Sequence, residues 1–283
     1  GSTSNIDQLV VDKKYSFFNP KAGLNYDINQ KNKIYFSLSK AHREPTRSDF
    51  ENNINIQPEE LIDYELGWKY NSEKFFFNSN LYYMGYKNQL VLTGALDDVG
   101  SPIRENSGKS YRTGIELESV YKATNKLNIS ANISLSENKN VDYKTNYNGV
   151  ITDWGDTDIS FSPNVISSAG IQFIASQDLT LTLLNKFVGN QYMSNTESNI
   201  SKLSSYSTTD LNILYTIKNS AYFSEIIVTA MINNIFNKEY VSNGYYYTYD
   251  DTWSDPNLIT TIEGTGYYPQ AKRNFLLGLT FKL

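Results

Sequence analysis

Hydrophobic and polar residues alternate along eleven separate stretches of this 283-residue chain. A period of two is that of a β-strand with one apolar and one polar face. The clearest stretch is 126–136, where Leu127, Ile129 and Ile133 alternate with Asn128 and Asn132. The predicted strands cover residues 18–27, 33–42, 60–70, 74–90, 109–121, 126–136, 163–175, 178–192, 206–218, 222–236 and 269–283. The chain is therefore predicted to be all-β.

The connections between these strands are alternately short and long. The short ones are 28–32, 71–73, 123–125, 176–177 and 219–221, and the long ones are 43–59, 91–108, 137–162, 193–205 and 237–268. Outer-membrane barrels have tight turns at one end and long loops at the other. The sequence therefore predicts an antiparallel, up-and-down transmembrane β-barrel wall. A soluble β-sandwich with its charges on a wet face is the alternative.

The predicted strand faces differ sharply in polarity. In the last strand Phe275 and Leu277 begin an apolar face that continues to the final residue, and an apolar edge of this kind invites aggregation in water. In the strand 109–121, Arg112, Glu116 and Glu118 share the polar face. A Lys or Arg at the lipid midplane costs about 2–4 kcal/mol. The apolar faces are therefore predicted to face lipid, and the charged faces a hydrated interior.

Eleven up-and-down strands do not make a complete barrel. The first and last would run in the same direction, so closing them needs a parallel seam, whereas strands of bacterial barrels pair antiparallel. Two open edges in lipid would leave backbone groups unpaired. Plugged outer-membrane transporters have about 22 strands. The chain is therefore predicted to be the C-terminal half of such a barrel, with residues 15–283 forming the wall and residues 1–14 a tag scar or loop remnant.

Composition excludes several functions. The mean hydropathy is −0.47, and no run approaches the roughly 20 apolar residues of a membrane helix. The net charge of −5 argues against a nucleic-acid partner. With no cysteine and a single histidine, His42, most nucleophilic catalysis and a tight transition-metal site are not expected. We therefore expect neither an enzyme nor a cofactor, and interpret His42 as an ordinary residue at a strand end.

Five segments, taken together, resemble a known family. They are 18–26 with Pro20, Gly23 and Leu24, 37–45 ending in Arg43-Glu44-Pro45, 58–67 from Pro58-Glu59 to Glu65-Leu66-Gly67, 111–118 with Gly114-Ile115-Glu116, and 232–240 with Asn234-Ile235-Phe236-Asn237 before Tyr240. In this order they resemble the C-terminal β-barrel portion of TonB-dependent outer-membrane receptors of the iron-complex type found in Bacteroidetes. The resemblance covers nearly the whole chain.

The resemblance implies a receptor in the cell outer membrane that takes up a ferric siderophore or similar iron complex. Its implied partners are outer-membrane lipid, the small-molecule cargo, and an inner-membrane energy-coupling protein that acts through a plug domain not in this chain. Without that plug the chain alone is not expected to transport. Receptors for cobalamin, haem or a glycan are alternatives, and so is a passive porin or structural barrel.

The last long connection holds the candidate ligand site. Aromatic and acidic residues cluster there, and the predicted ligand contacts are Tyr245, Tyr246, Tyr247, Tyr249, Asp250 and Trp253. Aromatic faces with hydroxyls suit a bulky amphipathic ligand, although loop packing explains the cluster equally well. Tyr267 and Tyr268 are interpreted as an aromatic girdle near the membrane surface. The acidic sign and the five arginines of the chain argue against an anionic ferric catecholate.

Other carboxylate pairs carry weaker predictions. Asp97 with Asp98, and Asp250 with Asp251, lie in predicted loops and are expected to be solvated. The spacing of Asp156 and Asp158 suits at most a weak surface calcium site, because the calcium-loop pattern is missing.

Overall fold

The computed structural model describes residues 10–96, 102–147, 150–218, 222–251, 253–255, 258 and 260–283. Its strands are β1 (Lys21–Asp27), β2 (Asn32–Arg43), β3 (Glu59–Asn71), β4 (Phe75–Lys87), β5 (Leu90–Leu96), β6 (Pro102–Asn106), β7 (Lys109–Thr124), β8 (Leu127–Tyr147), β9 (Val150–Asp158), β10 (Val165–Ile174), β11 (Leu179–Val188), β12 (Gln191–Tyr192), β13 (Lys202–Leu203), β14 (Tyr206–Lys218), β15 (Glu225–Asn233), β16 (Val241–Asp251), β17 (Thr260–Pro269) and β18 (Asn274–Lys282). A short helix, α1 (Arg47–Asn52), and a 3-10 turn (Asn199–Ser201) complete the elements. Within these residues no helix is both long and apolar enough to cross a membrane.

Eleven strands form one antiparallel sheet in the order β1-β2-β3-β4-β7-β8-β10-β11-β14-β15-β18. Each strand pairs with the next along this path, and β9 pairs with the C-terminal part of β8, from Lys139 to Tyr147. These are the eleven strands that the period of two predicts. The all-β, up-and-down antiparallel prediction is confirmed.

Several strand ends differ from the predicted ones: β1 begins at Lys21, β8 continues to Tyr147, and β15 covers only Glu225–Asn233. β4 stops at Lys87 because Asn88 adopts a positive φ of 56°, which turns the chain out of the sheet. β11 stops at Val188, before Gly189 and Asn190. β18 begins at Asn274 rather than at Pro269, because Pro269 is the last residue of β17 in a separate hairpin, β16–β17. The predicted short connection 219–221 lies outside the described residues.

The five long connections, here called the loop layer, all lie at one end of the sheet. They hold α1, the hairpin β5–β6, the extension of β8 that pairs with β9, the pair β12–β13, and the hairpin β16–β17. The sequence predicted their length but not this internal structure.

The two faces of the sheet have opposite chemistry. One row across the sheet reads Phe36, Leu66, Leu81, Ile115 and Leu135. The adjacent row reads Tyr35, Gly67, Asn80, Glu116 and Ser134. On the apolar face Leu24 and Leu277 are each 73% exposed. The predicted register is therefore present, with large hydrophobic side chains on an uncovered face.

Dry packing among the described residues occurs only in the loop layer and at strand ends that meet it. The buried hydrophobic residues there are Phe50, Ile56, Leu90, Val91, Tyr143, Ile159, Val188, Met193, Leu203 and Tyr246. No second sheet covers the apolar face in this part of the chain. The soluble-sandwich alternative therefore does not describe this protein.

The sheet is open at both edges. In the described residues β1 pairs only with β2, and β18 pairs only with β15. Because neighbouring strands alternate in direction along the path, these two edge strands run the same way.

The segment that precedes β1 contacts the loop layer. Val11 and Tyr15 pack against the cluster of Phe50, Ile56 and Leu90, and Lys13 Nζ donates to Ile54 O at 2.9 Å. Residues 1–9 lie outside the described part, so the division between 1–14 and 15–283 stays a prediction.

Candidate functional site: a tyrosine ladder on the last hairpin

The hairpin β16–β17 carries every predicted ligand residue except Trp253, which follows β16. Its antiparallel register places Tyr245 opposite Gly266 and Tyr247 opposite Gly264. Successive residues of a strand point to opposite faces. The consecutive tyrosines Tyr245, Tyr246 and Tyr247 are therefore divided between two faces of the hairpin.

Four rings form a continuous row on one face, here called the tyrosine ladder. Tyr245 lies between Tyr247, at 6.2 Å between ring centroids, and Tyr268, at 6.0 Å. Tyr249 follows Tyr247 at 6.3 Å, and the two rings are only 18° from parallel. Tyr245, Tyr249 and Tyr268 are 46%, 44% and 52% exposed. The ladder is thus an accessible aromatic strip along the length of the hairpin.

Glycines on the partner strand let two of these rings lie flat. A Cβ at Gly266 would lie 2.2 Å from Cζ of Tyr245, and one at Gly264 would lie 2.3 Å from Cζ of Tyr247. Real side chains do not approach so closely, so the rings occupy the space that any larger residue needs. Each ring therefore lies across the glycine backbone; Tyr245 is exposed and Tyr247 is half-buried.

The opposite face of the hairpin is anchored to the loop layer. Tyr246 is buried with Met193 and Leu203, and its hydroxyl donates to Glu263 Oε1 at 2.6 Å. Burial, reinforced by this carboxylate, raises the pKa of Tyr246, which keeps the hydroxyl a neutral donor. Ser198 Oγ donates to the other oxygen of Glu263 at 3.0 Å. This face holds the hairpin against the loop layer.

A carboxylate, that of Asp251, lies beyond Tyr249 at the end of the ladder nearest the hairpin tip. Asp251 lies two residues beyond Tyr249, on the same face. It accepts hydrogen bonds from the Ser254 hydroxyl and from the backbone N–H of Trp253 and Ser254, at 2.5, 2.9 and 3.0 Å. These bonds, led by the Ser254 hydroxyl, hold the pKa of Asp251 below its usual range. The group is therefore ionised at neutral pH.

The six predicted ligand residues are not brought to one surface. The ladder contains Tyr245, Tyr247 and Tyr249, whereas Tyr246 is buried and Asp250, on the opposite face, accepts from Thr261 Oγ1 at 2.9 Å. Trp253 is 83% exposed, just beyond β16. Their role as ligand contacts stays a prediction.

Sequence reasoning missed three groups of this site. Tyr268, interpreted as girdle, joins the ladder, while the hydroxyl of Tyr267 donates to Ile200 O at 3.0 Å. Gly264 and Gly266 create the space for the rings. The signal was present as Gly-x-Gly opposite Tyr-x-Tyr, but it becomes readable only once the segment is recognised as a hairpin.

The other candidate residues have structural partners. His42 Nδ1 lies 2.7 Å from Asn19 Oδ1, and its ring stacks on Phe17. Asp158 pairs with Lys139 at 2.7 Å, and Asp156 accepts from the backbone N–H of residue 142. Asp97 and Asp98 lie outside the described residues. In the described ranges no three His, Cys, Asp or Glu side chains are grouped to hold a metal ion.

Buried hydrogen bonds centred on Asn195, here called the polar knot, hold together the loops around the hairpin. Asn195, 1% exposed, accepts from Asn140 Nδ2 at 3.1 Å and from the backbone N–H of Ser160 at 2.9 Å, and it donates to Leu92 O at 2.6 Å. Three separate connections therefore meet at one amide. Since β16 also packs against β5, the knot supports the hairpin that carries the ladder.

A second buried contact, between Tyr143 and Glu105, is expected to make the loop layer sensitive to pH. Tyr143 donates to Glu105 Oε1 at 3.4 Å, and burial raises the pKa of Glu105, with the hydrogen bond opposing that shift. A carboxyl whose pKa is higher in the folded state stabilises the fold fully below its unfolded pKa, about 4.3, and loses this contribution as the pH rises through the folded pKa.

We therefore expect amide hydrogens of β6 to be better protected from exchange at about pH 4 than at about pH 7, after correction for intrinsic rates. Glu105→Gln, which cannot ionise, should remove the difference. Equal protection of the unaltered protein at both pH values would contradict this expectation.

Comparisons with known proteins give one family and one fold. The family model described as TonB dependent receptor-like, beta-barrel, matches residues 2–235. No curated protein matches the chain. Among solved structures, the siderophore receptor PiuA from Acinetobacter baumannii is similar with a TM-score of 0.67 at 18% identity, over 92% of this chain and 35% of that one.

Two further structures show the same fold. The copper transporter OprC has a TM-score of 0.67 at 17% identity, over 92% of this chain and 39% of that one. The ferric yersiniabactin uptake receptor FyuA from Yersinia pestis has a TM-score of 0.61 at 16% identity, over 92% and 36%. The chain thus spans between a third and two fifths of the length of these three structures.

Proposed function

Because this chain belongs to the TonB-dependent receptor β-barrel family, we propose that the protein it forms part of takes up a ferric siderophore or similar iron complex across the cell outer membrane. The energy comes from an inner-membrane coupling protein that acts through a plug domain. The protein is a transporter rather than an enzyme.

The two-faced sheet is the observation that carries this proposal. An apolar face whose side chains are up to 73% exposed is stable against hydrocarbon and unstable in water. The opposite face presents Glu65, Glu116 and Glu118 toward a hydrated interior. Outer-membrane lipid is therefore the proposed partner of the apolar face, and a plug domain the proposed occupant of the interior.

The names of the similar structures support uptake as the activity, since they describe a siderophore receptor, a copper transporter and a ferric yersiniabactin receptor. The loop layer supports capture of cargo at the outer end, because the ladder is open to solvent and firmly backed. We propose that cargo binds at the hairpin β16–β17, with the ladder and the exposed Trp253 as its contacts.

Uptake of iron-55-labelled chelates by cells that carry the full-length receptor as their only iron-complex receptor tests the proposal. We expect accumulation that requires the energy-coupling protein. Replacing Tyr245, Tyr247 and Tyr249 together by alanine should lower uptake about tenfold or more, because each stacked ring contributes about 0.5–1.5 kcal/mol.

Tyr222→Ala is the matched control, since this tyrosine is 86% exposed just before β15, at the opposite end of the sheet. It should leave uptake unchanged. Iron accumulation that continues without the coupling protein would point to passive diffusion and against the proposal. Uptake of cobalamin, haem or a glycan in place of every iron chelate would replace the proposed cargo.

A further inference from the structure

We propose that the tyrosine ladder together with Asp251 selects a positively charged iron chelate and rejects anionic ones. This inference rests on the proposed function, because it names the class of cargo taken at the same hairpin. Two features of the hairpin and one of its surroundings each favour a cation over an anion.

The ring faces are the first feature. An aromatic face carries the negative part of the ring quadrupole and attracts a cation placed within about 6 Å of the centroid. Tyr245 and Tyr247 lie across glycine backbone, with Tyr245 46% exposed and Tyr247 half-buried. With Tyr249 and Tyr268 they offer a row of such faces spaced 6.0 to 6.3 Å apart. A cation can therefore remain in favourable contact along the whole strip, whereas an anion placed over a ring face is repelled.

The carboxylates are the second feature. Asp251 extends the ladder face and is ionised, while Asp250 and Glu263 lie on the other face of the same hairpin. From residue 241 to residue 269 the sequence has four acidic residues and no lysine or arginine. A cationic group at the end of the ladder meets a carboxylate, whereas an anion meets like charge, an arrangement that costs several kcal/mol in interfaces.

The partners of neighbouring lysines are the third feature. Lys139 is bonded to Asp158 and also lies 3.6 Å from Glu197, and Lys272 is paired with Glu239. Lys202, on the segment that packs under the hairpin, lies over the Tyr192 ring at 5.7 Å. An anionic cargo that recruited Lys139 or Lys272 would have to compete with a carboxylate.

The shape of the site adds a requirement on the cargo. The ladder runs along the strand direction from Tyr268, near the base of the hairpin, to Tyr249, near its tip. A compact ligand covers one or two rings of this row. An elongated chelate with a terminal ammonium group can lie along the rings and reach Asp251. The geometry therefore favours a linear cationic chelate.

Binding of three iron complexes of different charge to the purified full-length receptor tests this selectivity. The probes are ferrioxamine B, the iron complex of a linear hydroxamate ligand with a free ammonium group, ferrichrome, an uncharged hydroxamate complex, and the trianionic tris-catecholate ferric enterobactin. Calorimetry gives each Kd. We expect the cationic complex to bind about tenfold or more tighter than the anionic one, and the gap to shrink at about 0.5 M salt because the charges are exposed.

Matched variants separate charge from general damage. Asp251→Asn should weaken the cationic complex by about threefold to tenfold and leave the uncharged complex unchanged, as expected for one exposed charge pair. Asp250→Asn, on the opposite face of the same hairpin, should change neither. Gly266→Val should displace the Tyr245 ring and weaken binding of the cationic complex without any change of charge.

Anionic complexes that bind as tightly as cationic ones at low salt would overturn the selectivity but leave the proposed uptake of iron complexes intact. If none of the three complexes binds and none is taken up, the proposed function fails, and the selectivity fails with it. An equal loss for all three complexes in Asp251→Asn would also overturn the role of that carboxylate.

Discussion

Leu81→Arg is expected to lower the free energy of unfolding of the membrane-inserted protein by about 2–4 kcal/mol. Leu81 lies midway along β4, is 50% exposed, and stands between Leu66 and Ile115 in the apolar row. Since we propose that the apolar row faces lipid, an arginine there must hold its guanidinium in hydrocarbon or bend it to a distant interface. Urea titration of the full-length receptor in lipid vesicles measures the loss.

Asn80→Arg is the matched control, one residue away on the polar face. Its register partner on β7 is Glu116, so the new charge meets a carboxylate on the face that we propose to be hydrated. We expect a change below about 1 kcal/mol, because exposed ion pairs contribute little. A larger loss for Asn80→Arg than for Leu81→Arg would mean that the faces have been assigned the wrong way round, and equal losses would contradict the assignment of one face to lipid.

The second large effect is expected in the loop layer. Asn195→Ala removes one amide, leaves the Ser160 N–H and the Leu92 carbonyl without this partner, and leaves Asn140 Nδ2 with only Thr157 Oγ1. A buried polar group left unpaired costs about 1–3 kcal/mol. We expect local opening of β5 and β9 to become easier by about 3 kcal/mol, with about a hundredfold loss of amide protection.

Hydrogen exchange followed by mass spectrometry resolves this effect by segment. The main-sheet strands β3 and β4 should keep their protection, because the knot contacts only the loop layer. Asn199→Ala, an exposed asparagine in the same connection, serves as control and should change nothing. Unchanged protection in Asn195→Ala would show that the loops are held by apolar packing alone.

The main sheet could be predicted from the sequence because each strand has to keep one face polar and the other apolar. A slip by one residue in β7 would move Arg112, Glu116 and Glu118 together onto the apolar face, so the pattern determines the register. The alternation of short and long connections then orders the strands. These features are local or repeat at short range, which is why they can be read without coordinates.

The loop layer could not be predicted in the same way. Its hairpins have few alternating hydrophobic residues, since only one side packs on neighbouring loops. Asn140 and Asn195 lie 55 positions apart, and nothing in the sequence indicates that they meet. The ladder was found as a cluster of tyrosines, but its division into an exposed and an anchored side depends on strand register, which the sequence did not indicate for this segment.

Because the two edge strands run in the same direction, the number of further strands that can close a barrel with this sheet is restricted to odd values. A strand that pairs antiparallel with β1 and one that pairs antiparallel with β18 must both run opposite to them. The first and last strands of any wall that closes the gap therefore run in the same direction. In an antiparallel wall this requires an odd number of strands. If the missing strands were supplied as a separate polypeptide, only an odd number of them could close the barrel with this sheet. One strand more or fewer would force two neighbouring strands to pair in parallel.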